Sequence, residues 1–293
     1  MWIPYKMITA QTRDEKFHDI LAGYYEDFKR FIQFDNLPKY ITRPIINPID
    51  TTVFSVTMPK DDVTPYIFNI NKERYIRMGQ GSLSGIYHEF THIYDDIHFL
   101  LGYPKRRISI IPYTEFHATI VQMMIATGYT SYYSDKTISL NNKIVDGMHN
   151  CKLKEYLDRE LQYNRTKLSV DYSNLKESFN YLYMLLIYHI GKMYFTQKYV
   201  KEDCSHLFSL EPFANIFGDK VWILKELLLK NNSSDEHMLY LSKVQNDIMQ
   251  EFGVRYDKPS LDEQIAIASS KVQPPKEQNK SNSNQREIGE RKH

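Results

Sequence analysis

In the stretch Gly85-Ile86-Tyr87-His88-Glu89-Phe90-Thr91-His92-Ile93-Tyr94-Asp95-Asp96, two histidines stand four residues apart and a glutamate follows the first. Residues four apart share one face of a helix, so both imidazoles can point at one metal ion while the glutamate reaches an attacking water. The flanking residues ask for that helix. Leu83, Ile86, Phe90, Ile93, Ile97, Leu100 and Leu101 recur at three and four and form one apolar stripe. His88 and His92 fall roughly opposite the stripe, with Glu89 and Asp96 to one side. Ser82 or Ser84 can cap the start, and Gly102 with Pro104 supplies an ordinary stop. Ten histidines in 293 residues predict only roughly 0.02 such matches by chance.

A catalytic zinc ion commonly takes three protein ligands and keeps a position open. Two residues downstream of the histidine pair are candidates for the third. His98 completes the spacing H-E-x-x-H-x-x-x-x-x-H, which metzincin peptidases use, but where they turn the chain with glycine this sequence has Asp95. The apolar stripe runs on through Ile97 and Leu100, and on a continuous helix His98 lies about 15 Å along the axis from His88. Glu115 is the better candidate. It falls in the first turn of a second helix, expected from Pro112 to a stop at Gly128, whose other faces carry Phe116, Ile120, Val121, Met123, Met124 and Ile125. Glu115, Ala118, Thr119 and Gln122 form its single polar face, and the small Ala118 permits close approach to the histidine helix. His117 points away from Glu115 and reads as structural.

His88-Glu89-Phe90-Thr91-His92, followed by Tyr113-Thr114-Glu115-Phe116-His117-Ala118, resembles the gluzincin arrangement of zinc metallopeptidases, with a compact spacing similar to minimal intracellular members. The resemblance covers about residues 50–130. It implies Zn2+ held by His88, His92 and Glu115, with Glu89 as general base in the hydrolysis of a peptide or protein substrate. It also implies an edge strand before the motif helix that holds the substrate extended, and Pro65 to Asn71 is where that strand is expected. Larger members place an aspartate four residues after the glutamate ligand as a partner to a histidine. Here that position is Thr119, so Asp95 or Asp96 either orients a histidine instead or is a plain surface charge. An oxyanion donor is required, and Tyr132, Tyr133, His149, Tyr188, His189 and His206 are its candidates. Two other readings compete: a metal-dependent deformylase, which would need a cysteine ligand upstream where none precedes Cys151, and a non-catalytic metal-stabilised interaction protein, which has no need of Glu89.

The implied fold is α+β: a zincin-like small mixed or antiparallel sheet, then the active-site helix and the glutamate helix, with a mainly helical C-terminal half. Residues 1–130 form the expected core, 131–268 a helical subdomain packed on it, and 269–293 a disordered tail of polar, proline- and lysine-rich composition. Further helices are expected over residues 13–34, 153–168, 175–199, 219–231 and 236–252, and strands over 51–57 and 65–71 about a turn at Pro59-Lys60-Asp61-Asp62. A short strand pair is expected about Asn141-Asn142. The net charge of +1 provides no field that would steer the chain to nucleic acid or an anionic membrane. Two cysteines make no disulfide framework, and no start signal or spanning run is evident, so a soluble, cytoplasmic protein is expected.

Overall fold

The computed structural model describes residues 13–34, 37, 44–46, 53–59, 65–71, 83–100, 111–146, 149–169 and 175–254. The described chain is mostly helical. It opens with α1 (Arg13–Ile32), followed by β1 (Pro44–Ile46), β2 (Val53–Pro59) and β3 (Pro65–Asn71), which form an antiparallel meander in the order β1-β2-β3. Register runs from Val53 opposite Asn71 to Pro59 opposite Pro65, so Pro59 belongs to the strand rather than to the turn after it. The β3 strand ends the sheet and lies next to the motif helix, α2 (Leu83–Leu100). The glutamate helix, α3, spans Ile111–Ala126.

Two short strands, β4 (Lys143–Asp146) and β5 (His149–Lys152), then pair as a hairpin. The strand pair therefore spans Lys143–Asp146 and His149–Lys152 and does not reverse at Asn141-Asn142. Asn142 is engaged in a tighter turn, where its side chain accepts from the Ser139 amide and its own amide donates to the Ser139 carbonyl. Helices α4 (Leu153–Leu168), α5 (Leu175–Tyr199), α6 (Glu211–Phe217), α7 (Lys220–Leu229) and α8 (Asp235–Glu251) complete the described chain. The short α6 has too few residues to show a period, which is why patterning alone does not reveal it. The expected tail from residue 269 lies outside the described residues.

Helix α3 is the axis of the molecule. Twelve of its sixteen residues are buried, and Glu115 and Gln122 are the polar residues among the four that are not. Its end is closed by Gly128 at φ 85°, with the Gly128 and Tyr129 amides donating to the Ile125 and Met124 carbonyls. A left-handed residue at that point favours glycine. On one side α3 meets α2; on the other it meets α5, which approaches it closely at Gly191. A Cβ added at Gly191 would lie 2.8 Å from the Thr119 Cβ and 3.2 Å from the Phe116 carbonyl oxygen. Helix α1 packs on the far side of α2, with Tyr25 against Phe90 at 5.0 Å and Phe28 against Tyr87 at 5.4 Å between ring centroids, both edge to face. One apolar core runs from these rings through α3 and α5 to Leu241 and Ile248 of α8. Cys151 and Cys204 are free thiols. Among the described residues no helix is long and apolar enough to cross a membrane.

Candidate metal centre

The periodicity that forms α2 also sets the site. Ile86, Phe90 and Ile93 are buried in the core, which turns His88 and His92 to the face that meets α3. The His88 Nε2 lies 3.3 Å from the Glu115 Oε2, and the His92 Nε2 lies 3.7 Å from the same oxygen. Ligand atoms of His88, His92 and Glu115 all fall within 4.8 Å of one another. Tetrahedral zinc with bonds of about 2.0–2.1 Å places its ligand atoms roughly 3.3 Å apart, so the donors present fit that ion. Two imidazoles and a carboxylate are also a donor set that suits it.

His92 and Glu115 each have a further hydrogen-bond partner. The His92 Nδ1 lies 2.8 Å from the Thr114 Oγ1, a buried hydroxyl one residue before Glu115. With Nδ1–H donated to that oxygen, the Nε2 lone pair faces Glu115 and His88. Tyr188, from α5, donates its hydroxyl to the Glu115 Oε2 at 3.1 Å, and its ring stands 5.9 Å from that of His88. Gln122 comes close enough to His88 to favour the protonated imidazole, although the buried Nδ1 of His88 has no hydrogen-bond partner in bonding geometry.

Charge inside this half-closed space is strongly coupled. Burial disfavours a charged His88, but the hydrogen bond to Glu115 and the charges of Glu89 and Glu115 outweigh it, and its pKa is raised. Burial likewise pushes Glu115 up, but the hydrogen bond from His88, the neighbouring His92 and the Tyr188 hydroxyl hold it below the ordinary carboxylate value. A raised His88 pKa and a lowered Glu115 pKa favour a proton between the two, the same place in which a cation would compete with it. Glu89 behaves differently. Burial raises its pKa to about 7, with His88 opposing the shift and Glu115 adding to it. Tyr188 is raised by burial and by the Glu115 and Glu89 carboxylates, so its hydroxyl stays a donor.

The structure therefore brings together His88, His92 and Glu115, and leaves His98 outside. Helix α2 is continuous through Leu100, and the exposed His98 stacks on Tyr94 at 5.6 Å with Phe34 beyond. Neither Thr119 nor Asp95 hydrogen-bonds the side chain of His88, His92 or Glu115. The Thr119 hydroxyl donates to the carbonyl of Glu115 in its own helix, and Asp95 bonds to His117 at 2.8 Å. The side chain of Asp96 lies outside the described residues. Ser84 does not cap α2; its hydroxyl is buried without a partner. Of the oxyanion candidates, Tyr188 alone among the described side chains contacts a ligand. Tyr132 packs on His117, Tyr133 is exposed, His189 is buried near Asn164 and Phe208, and His206 sits in the turn Ser205–Leu207. The side chain of His149 lies outside the described residues. Nothing in the sequence marks Thr114, because a threonine beside a glutamate has no distinctive spacing. No protein-family model, curated protein or solved structure was found to match the chain.

Proposed function

We propose that this chain is a zinc metallopeptidase of gluzincin type, with His88, His92 and Glu115 as ligands and Glu89 as general base. The observation that carries the reading is the convergence of the three donor atoms beside a glutamate whose pKa lies near 7. A purely structural metal site closes with a fourth protein ligand and has no use for such a base. Zinc bound there would polarise a scissile carbonyl and lower the pKa of the attacking water. Glu89 takes the proton of that water and returns it to the departing amine, a transfer that a carboxylate poised near neutrality performs in both directions. Tyr188 offers its hydroxyl toward the negative charge that develops on the carbonyl oxygen. The β3 strand, at the end of the sheet and next to α2, is the edge on which an extended peptide would pair.

The test combines metal analysis with hydrolysis of a quenched peptide library by the full chain. Wild type is expected to bind about one Zn2+ and to cleave, as the single open site requires. Glu89→Gln should keep the metal and lose about 10²–10⁴-fold in rate. Glu115→Ala should lose the metal. Hydrolysis that survives in Glu89→Gln would sink the mechanism, and Zn2+ affinity unchanged in Glu115→Ala would sink the ligand set.

A further inference from the structure

We propose that the buried hydrogen bond between Asp95 and His117 is a positioning latch that fixes α2 against α3 in the register where His92 and Glu115 meet one ion. The inference rests on the metal-site reading above. Asp95 is three residues beyond His92 on α2, and His117 is two beyond Glu115 on α3. The Asp95 Oδ1 lies 2.8 Å from the His117 Nδ1, with the two side chains 0% and 3% exposed. Neither residue is among the three that converge as ligands.

The surroundings explain why one bond can set a register. The rings of Tyr94, Tyr113 and Tyr132 stand 5.9, 5.8 and 5.2 Å from the His117 ring and enclose it. The enclosure is itself tied down. The Tyr113 hydroxyl donates to the Asn231 Oδ1 at 3.4 Å, and the Asn231 Nδ2 donates to the Tyr194 hydroxyl at 3.2 Å. In such a place water cannot replace a lost partner, so sliding one helix along the other strands two buried polar groups. Among the described residues the remaining Asp95 Oδ2 and His117 Nε2 have no hydrogen-bond partner, which leaves the cross-helix bond as the polar interaction that holds the pair. For stability alone, well-packed apolar residues of similar volume do as well or better. What a buried polar pair adds is direction, and its best-attested use is to specify register. Here the register it specifies is the one on which the ligand set depends.

The experiment measures Zn2+ affinity of the full chain by competition with a chromogenic chelator, alongside circular dichroism and thermal unfolding. Asp95→Leu removes the bond while keeping the branch at Cγ, and Asp95→Asn keeps an acceptor for the His117 Nδ1–H. Folded Asp95→Leu should lose about tenfold or more in Zn2+ affinity, while Asp95→Asn stays within about threefold of wild type, the scale seen for residues that support ligands from behind. A pair that serves stability only would lower the melting temperature and leave the affinity of the folded protein unchanged. That result overturns the proposal. If Asp95→Leu does not fold, His117→Phe replaces it as the variant without the bond, and unchanged affinity there overturns the proposal equally. A wild-type chain that binds no Zn2+ refutes the metal site itself, an outcome distinct from a wild type and a bond-free variant that both bind.

Discussion

At the scale of single residues, Tyr188 separates two kinds of contribution to the site. Its hydroxyl rests on the Glu115 Oε2 and its ring on His88, so removing the hydroxyl could weaken a ligand or remove a donor to the reacting carbonyl. The two effects differ in what they move. Loss of a transition-state donor lowers kcat and leaves metal affinity and KM nearly alone. Tyr188→Phe keeps the ring and is expected to cut kcat by about 10²-fold or more, with Zn2+ affinity within a few-fold of wild type. A kcat unchanged in the metal-loaded variant excludes Tyr188 as the donor. Sequence reasoning reached the cluster of His88, His92 and Glu115 because each sits at a spacing fixed by the helical repeat or in the single polar face of an otherwise apolar helix. It could not tell which of six candidates lies against Glu115 and His88, since that depends on how α5 crosses α3. It left Asp95 open between orienting a metal-bound histidine and serving as a plain surface charge, and the buried residue does neither directly. The carboxylate finds His117, and the hydroxyl of Thr114 takes the place behind His92.

At the scale of elements, the crossing of α5 over α3 carries Tyr188 to the site. Gly191 lies one turn beyond Tyr188 and allows that approach, because any side chain there meets Thr119 and the Phe116 carbonyl. Gly191→Ala is therefore expected to destabilise the fold by about 1–3 kcal/mol, the usual cost of overpacking, against the gain of about 1 kcal/mol that the same change brings in an unhindered helix. The wedge should also draw the Tyr188 hydroxyl away from Glu115. Thermal unfolding checks the sign, and a double-mutant cycle with Thr119→Gly checks the cause. Relief of the contact should make the double variant more stable than the two single changes predict by addition. A Gly191→Ala protein more stable than wild type removes the argument. The long helices were legible because their periods persist over many residues; α4 and α5 fall on the expected bounds. The hairpin of β4 and β5 was misplaced because Asn-Asn also makes turns, and the sequence does not say which turn a strand pair will use.

At the scale of the whole molecule, stability depends on burying polar groups in a core that runs without a break from α1 to α8, and His189 is where pH tests this. Its ring is 3% exposed on the α4-facing side of α5, with the Asn164 amide 3.4 Å from Nδ1 and Phe208 and Phe213 rings about it. Burial, with the nearby Lys192 charge, lowers its pKa to about 3. The unfolded chain takes up a proton near the ordinary value of about 6.5, while the folded chain does not until about 3. Between those limits the unfolded state binds more protons, so stability rises with pH and is lost as pH falls below the unfolded value. The contribution of one such group approaches about 1.4 kcal/mol per pH unit within that window. Carboxylates add their own dependence at the acid end, so the useful quantity is the difference between wild type and His189→Leu. Urea unfolding at pH 7, 6 and 5 is expected to show wild type losing stability more steeply than the variant on acidification. Parallel slopes would mean that His189 accepts its proton in the folded state, and that the core admits water or an acceptor at this point.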